Sequence, residues 1–401
     1  MSSTNSLNVV IIVRFGFPNG MAPTQRVRLL SRCLVEQGSK VTILCTRVSE
    51  TPPFIENYSS KGNVDGINYE YTTGTPIRAD HFLLRRWVEF RGLLMCIWKI
   101  IEYRKLQKID SIYLWALDIS ITRIVITVVA RLLNIPVILE FNERPQNLTK
   151  NPAFLTKLIP PLWGSSGVIA ISEFLFCWCK EATKKGMRDI KVIKVPILID
   201  PIITDRYEQL TSSPSVLFAG MPAYVETIRF IFDAMDIVWQ QVPDCVLFLT
   251  GWHPENKSAG WIYAELARRS ISHRVKLLGY LPRAELLRQY QCSWALLIPL
   301  FQDLRSQARF PTKIGEYLVS GRPIITTQVG EISEFFQDGI NAYVCEPDNP
   351  AIFGSKIVEV LTNPVQAKIV GQQGVISAQK CFDYRLFSRD IYDFFLNIVG
   401  R

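Results

Sequence analysis

The sequence predicts an α/β protein made of two doubly wound parallel sheets, and three observations carry that expectation. The chain is 401 residues long, more than one hydrophobic core usually supports, so two domains of roughly 200 residues each are expected. Apolar runs of strand length alternate with longer helical patterns almost throughout. Several of those runs are continuously apolar, as strands are when helices cover both faces of their sheet.

Taken in order, the first set of strands is expected at 9–13, 41–44, 112–115, 137–139, 168–171 and 191–195. A second set is expected at 216–218, 246–250, 275–278, 294–298, 324–327 and 342–345. Turn formers concentrate between the sets at 200–214, which places the linker there. The domains are accordingly drawn at 1–204 and 205–382, and 383–401 closes the chain as a helix with Phe387, Ile391, Phe394, Phe395 and Ile398 on one face. In sheets of this kind ligands bind beyond the carboxyl ends of the strands, where the strand order switches.

At 48% apolar and 20% charged residues, the composition is that of an ordered globular protein. The nine cysteines are scattered through apolar runs, as small core residues in a reducing compartment would be. Cys177-Trp-Cys179 lacks the spacing of a zinc or redox motif, and no Asp-x-Asp is present to hold a diphosphate through a cation, so no metal is expected. The polar opening Met-Ser-Ser-Thr-Asn-Ser-Leu-Asn is not a signal peptide. The apolar stretches 93–101 and 121–129 are too short or too charged to span a bilayer, which needs about 20 residues. A cytoplasmic protein is expected, at most peripheral on the inner face of the plasma membrane.

All the net positive charge sits in the first half. Residues 1–200 hold 26 Lys and Arg against 16 Asp and Glu; the remainder hold 19 against 20. The densest part is 85–108, with seven cations and two acids. There Leu83, Trp87, Phe90, Leu94, Ile97 and Ile101 recur at helical spacing. The apolar stripe reads as the face by which a crossover helix packs on its sheet. The basic face is either simply solvated or suited to an anionic membrane surface. Without a recognised nucleic-acid module, a nucleic-acid partner is not expected.

The most informative stretch is Arg309-Phe-Pro-Thr-Lys-Ile-Gly-Glu-Tyr-Leu-Val-Ser-Gly-Arg-Pro323. A loop carrying Arg309 and Lys313 enters a short helix near Pro311, where proline is tolerated. The positive helix end and two cations then suit a phosphate. Glu316, one turn on, faces the same way and can accept hydrogen bonds from sugar hydroxyls. Gly321 stops the helix before the next strand. Earlier, Gly16-Phe-Pro-Asn-Gly20 follows the first strand. Glycine there lets backbone approach a ligand, but the loop is not a GxGxxG dinucleotide fingerprint. Arg26 and Arg28 are two apart and cannot share a helix face. Asn142 and Glu143 end a strand, where an amide and a carboxylate could orient a hydroxyl. Ser172-Glu173 reads as a helix cap.

The order Pro-x-Lys-x-x-Glu-Tyr-Leu-x-x-Gly-x-Pro, then a strand, then Gly330-x-x-x-Glu334 and Asp338-Gly-Ile-Asn, resembles the donor-binding half of glycosyltransferase family 4. A thinner likeness covers the rest of the chain. The resemblance implies the GT-B fold: two Rossmann-like domains facing a central cleft, with the C-terminal helix returning to the first. It implies retaining transfer from a nucleotide-diphosphate sugar, with no other cofactor, to a glycan acceptor. The basic first domain suits a lipid-linked acceptor of surface-polysaccharide assembly. Donor contacts are implied for Gly20, Arg26, Gly220, Arg309, Lys313, Glu316 and Glu334, with Lys313, Asn142 and Glu143 at the chemistry.

Departures from the family pattern are specific. Met221 and Glu226 stand where the family commonly places an Arg and a Lys against the diphosphate, Ala308 replaces the first Glu of a Glu-x7-Glu pair, and Asn142 stands where many members have a histidine. Arg305, Arg309 and Lys313 are expected to take over the lost positive charge. A catalytically silent partner subunit and a sugar-nucleotide epimerase are the alternatives.

Overall fold

The computed structural model describes residues 6–52, 55–115, 120–143, 159–185, 190–201, 210–251 and 257–400. The chain divides into two compact units, one of Met1–Leu198, Ala308–Phe310 and Tyr384–Arg401, the other of Ile199–Gln307 and Pro311–Asp383.

The first unit contains an eight-stranded sheet. Its strands are β1 (Asn8–Val13), β2 (Lys40–Cys45), β3 (Lys61–Val64), β4 (Ile67–Tyr71), β5 (Ser111–Leu114), β6 (Val137–Phe141), β7 (Gly167–Ala170) and β8 (Lys191–Lys194). Their spatial order is β3-β4-β2-β1-β5-β6-β7-β8, parallel except for the β3/β4 hairpin. Helices α1 (Ala22–Glu36), α2 (Phe82–Lys105), α3 (Ile121–Leu132) and α4 (Glu173–Lys185) lie between these strands in the chain. Residues of β1, β5, β6 and β7 are buried almost without interruption, which is why they read as unbroken apolar runs.

The second unit holds a six-stranded parallel sheet of β9 (Ser215–Ala219), β10 (Val246–Thr250), β11 (Val275–Gly279), β12 (Ala295–Ile298), β13 (Ile324–Thr327) and β14 (Tyr343–Cys345), in the order β11-β10-β9-β12-β13-β14. Its helices are α5 (Val225–Gln241), α6 (Gly260–Arg268), α7 (Arg283–Cys292), α8 (Leu304–Ala308), α9 (Lys313–Val319), α10 (Ile332–Phe335), α11 (Pro350–Thr362) and α12 (Pro364–Cys381). The closing helix, α13 (Ser388–Val399), packs in the first unit, where Ile391, Phe394 and Phe395 join the core of β1 and α1. Phe395 meets Tyr113 edge-on at 6.2 Å. In both sheets the order reverses beside the first strand, between β1 and β5 and between β9 and β12, so the loops after β1 and β9 lie at the switch points where such sheets bind ligands.

Two features depart from expectation. The β3/β4 hairpin was not anticipated, because β3 is polar and largely exposed. Its signal is the dipeptide Asp65-Gly66, both residues at positive φ (54° and 77°), the two-residue turn that matches strand twist. The stripe on α2 does not pack on the sheet as expected. Gly92, Cys96 and Ile100 form the buried face, while Leu83, Trp87, Phe90, Leu94 and Trp98 are all at least half exposed. The small residues Gly92 and Cys96 bring this helix close to the sheet. A Cβ at Gly92 would sit 2.7 Å from Thr73, so close packing selected the opposite face to the aromatic one.

Candidate active site

In the second unit the site is built on the end of β9. Gly220 follows Ala219 there, and a Cβ at position 220 would lie 2.4 Å from the Phe218 ring. Gly251 closes on the backbone of Gly220 with φ +119°, and any Cβ it carried would be 3.1 Å from the Gly220 carbonyl. Two glycines therefore let the ends of β9 and β10 come together without side chains between them.

Helix α9 crosses this corner. The buried Tyr317 hydroxyl accepts the Ala219 N–H at 3.0 Å, and burial pushes that phenol above its ordinary pKa. Lys313 Nζ donates to the Ala219 carbonyl and lies 5.2 Å from the Phe218 ring centre and 5.8 Å from that of Tyr224. The guanidinium of Arg305 lies 5.4 Å from the same Tyr224 ring. Two cations thus converge on one aromatic residue of the loop after β9, held by the ring's electron-rich face. This is the neighbourhood of exposed Met221 and Glu226, which supply no positive charge themselves.

The remaining donor-side residues are more dispersed. Glu316 is held by Arg283 at 2.7 Å, so its carboxylate is oriented but not solvent-free. Glu334, on the short helix α10, is exposed, whereas its neighbour Glu331 is buried. Arg309 is half-buried and groups with the first unit. Because α9 has only seven residues, its terminal dipole is weak, and the positive character of the corner comes from side chains more than from the helix end.

In the first unit the loop after β1 folds tightly at Gly20. A Cβ there would lie 2.2 Å from Thr24 Oγ1, and Thr24 uses that hydroxyl to donate to the Gly16 carbonyl at 2.8 Å. Arg26, expected as a donor contact, is instead built into the core of the first unit. It is 2% exposed. Nε pairs with Glu140 at 2.5 Å, Nη1 donates to the Pro196 carbonyl at 2.6 Å, and Nη2 to that of Val195 at 2.9 Å. Glu140 also accepts the Tyr113 hydroxyl at 2.5 Å. A carboxylate inside β6 needs a buried cation, and Arg26 serves it. Asn142 and Glu143 follow the end of β6; Glu143 is exposed, and Asn142 Oδ1 is buried with no hydrogen-bond partner among the described residues. An orphaned acceptor at a strand's carboxyl end can take a hydroxyl donor. Ser172 is a cap, accepting the Leu175 N–H at 3.2 Å and donating to the Ala308 carbonyl at 2.6 Å. Tyr224, which gathers the two cations, had no signal in the sequence beyond its place just after Gly220.

Among the described residues, no group of three or more His, Cys, Asp or Glu could hold a metal ion, and no helix is long and apolar enough to cross a membrane.

Residues 213–363, which include β9 to β14 and this corner, match the family described as glycosyl transferases group 1. No curated protein matches the chain by sequence. Solved structures share its fold along nearly the whole length. Sucrose-phosphate synthase from Thermosynechococcus elongatus superposes with a TM-score of 0.71 at 14% identity, covering 98% of this chain and 99% of that one. Anabaena HepE in complex with UDP and glucose gives 0.68 at 14%, covering 96% and 98%. The E. coli trehalose-6-phosphate structure bound with UDP-2-fluoro glucose gives 0.68 at 10%, covering 96% and 98%. Residues 213–363 thus match the group 1 glycosyl transferases, and the chain as a whole has the GT-B fold of these solved structures.

Proposed function

We propose that the chain is a retaining enzyme of glycosyltransferase family 4, moving a sugar from a nucleotide-diphosphate sugar to a lipid-linked glycan acceptor during surface-polysaccharide assembly. The observation that carries this reading is the convergence of Lys313 and Arg305 on Tyr224 beside Gly220, where the switch point of the second sheet offers a diphosphate its place. Lys313, Arg305 and, further along the segment, Arg309 neutralise the leaving diphosphate. Glu316 holds ribose hydroxyls and Glu334 the sugar. In the transfer the bond from the sugar's anomeric carbon to the phosphate oxygen breaks, and a bond from that carbon to the acceptor oxygen forms on the same face. The acceptor's proton passes to the departing phosphate oxygen. No imidazole is needed for this, which suits Asn142 where a histidine is common; Asn142 and Glu143 then orient the acceptor hydroxyl.

UDP is the first nucleotide to try, because the Anabaena and E. coli structures hold UDP or a UDP-sugar. At 100 times its dissociation constant, a nucleotide that binds only the folded chain stabilises it by about 2.7 kcal/mol. A rise in Tm with UDP, GDP or ADP is the expected result of a thermal-shift series. A Tm unmoved by all three would leave the silent partner subunit as the better account.

The membrane part of the proposal rests on α2. Leu83 is 80% and Trp87 60% exposed, on the helix that also carries Arg85, Arg86 and Arg91. An apolar, aromatic face rimmed by cations complements an anionic bilayer, with the inner face of the plasma membrane as its place. Flotation with phosphatidylglycerol vesicles should retain the protein, lose it as salt rises, and lose it in Leu83→Glu/Trp87→Glu. Recovery that is independent of lipid charge and of these two residues would remove the membrane from the proposal.

A further inference from the structure

The first unit has a second concentration of charge, built from residues other than Arg26 and those at the end of β6. A cavity of about 290 Å³ is lined by Arg14, Arg47, Arg78, Arg85, Arg86 and Glu89. A smaller one of about 190 Å³ shares Arg14, Arg47, Arg86 and Glu89 with it and adds Thr46 and Thr122. The arginines come from separate elements: Arg14 directly follows β1, Arg47 follows β2 by two residues, Arg78 lies in the segment after β4, and Arg85 and Arg86 lie in the first turn of α2. Glu89 is shared between Arg47 at 3.1 Å and Arg86 at 3.2 Å. Arg14, Arg78 and Arg85 have no carboxylate partner among the described residues. Five guanidiniums around one carboxylate repel one another, and nothing in the fold of this region requires them together. Phe82, stacked 5.1 Å from Arg86, begins the exposed apolar face of α2 that continues through Leu83 and Trp87.

We infer that this cavity binds the phosphate or diphosphate of the acceptor, with the acceptor's apolar chain laid along the exposed face of α2. The inference deepens the proposed function, on which it rests for the word acceptor. Planar guanidiniums take phosphate oxygens in bidentate pairs, and a volume near 300 Å³ is at the small end of ligand clefts. A phosphate beside a face of Phe, Leu and Trp describes an amphiphile, where a free phosphorylated sugar would leave the apolar side unused. The site lies just beyond the carboxyl ends of β1 and β2, next to the switch point of the first sheet.

The test titrates the full chain, presaturated with UDP to block the donor corner, with inorganic pyrophosphate and with geranyl diphosphate by calorimetry. Both are expected to bind, geranyl diphosphate at least about tenfold more tightly because its chain buries apolar surface. Arg14→Gln/Arg78→Gln should weaken both by about tenfold or more and leave the prior UDP titration unchanged, with an unaltered Tm showing that the variant folds. If that variant melts early, Arg85→Gln, in the first turn of α2, serves in its place. Pyrophosphate and geranyl diphosphate binding that is absent, or indifferent to these arginines, overturns the inference. So does an arginine dependence seen only with phosphatidylglycerol vesicles, which would make the cavity a bilayer headgroup site. Arginine-dependent diphosphate binding in a chain that fails to bind UDP would keep the cavity and remove the donor reading instead.

Discussion

Lys313→Met is expected to lower kcat/KM for sugar transfer by about 10²–10³-fold, the loss of one preorganised charge at a developing anion being worth roughly 3–4 kcal/mol. The argument is one of position. Lys313 Nζ is tied to the carbonyl that ends β9 and flanked by the rings of Phe218 and Tyr224, so its charge is fixed before the donor arrives. Tyr317, one turn further along α9, keeps the helix on the Ala219 N–H, and the variant should therefore fold normally. Nucleotide binding in the ground state should weaken by only about tenfold, because the diphosphate gains charge as the sugar leaves. Most of the loss then appears in kcat. Arg305→Met, at an exposed position on α8, should cost less, about tenfold, since a solvated cation already shares its charge with water. Steady-state kinetics of UDP release with a UDP-sugar and a lipid-linked acceptor give both numbers. Lys313→Met at wild-type kcat would remove the diphosphate from this corner.

How much of this was legible in the sequence differs between the two sheets and the residues on them. Strands such as β10 and β13 were placed to the residue, because a strand buried on both faces leaves an unbroken apolar run bounded by turn formers. Gly220 and Gly321 were equally readable, since only glycine relieves the contacts or the positive φ at those places. Periodicity failed on α2, where two stripes compete. The larger, aromatic one looked like the core face, but depth of packing was decided by Gly92 and Cys96, whose small side chains let the backbone approach. Arg26 was misread for a related reason. The resemblance implied a donor contact, and the partner that Arg26 has, Glu140, is 114 positions away in the chain. No local pattern reports such a pair, although an acid inside the run Val137–Phe141 was itself a sign that some buried cation had to exist. Tyr224 shows the same limit: its importance lies in what Arg305 and Lys313 do around it, which only the fold assembles.

Arg26→Met should destabilise the first unit by about 3–5 kcal/mol, the usual consequence of stranding a buried carboxylate. Glu140 is fully buried, and Arg26 is its cationic partner, with Tyr113 as a second donor to the carboxylate. Once the guanidinium is removed, the carboxylate keeps the phenol alone, and the carbonyls of Val195 and Pro196 also lose their donors. For a unit of this size the loss corresponds to a fall in Tm of roughly 10 °C, read by scanning calorimetry of the full chain. The double variant Arg26→Met/Glu140→Leu separates charge from packing. Removing both partners leaves no uncompensated charge, so the double variant should recover well over half of the lost stability. A double variant no more stable than Arg26→Met would mean that the guanidinium acts through the two carbonyls after β8, closing the end of the sheet and not neutralising β6. On the proposed reading the donor corner of Lys313 and Arg305 lies in the other unit, so nucleotide binding should survive either variant, and a UDP titration below the transition separates a weakened scaffold from a lost site.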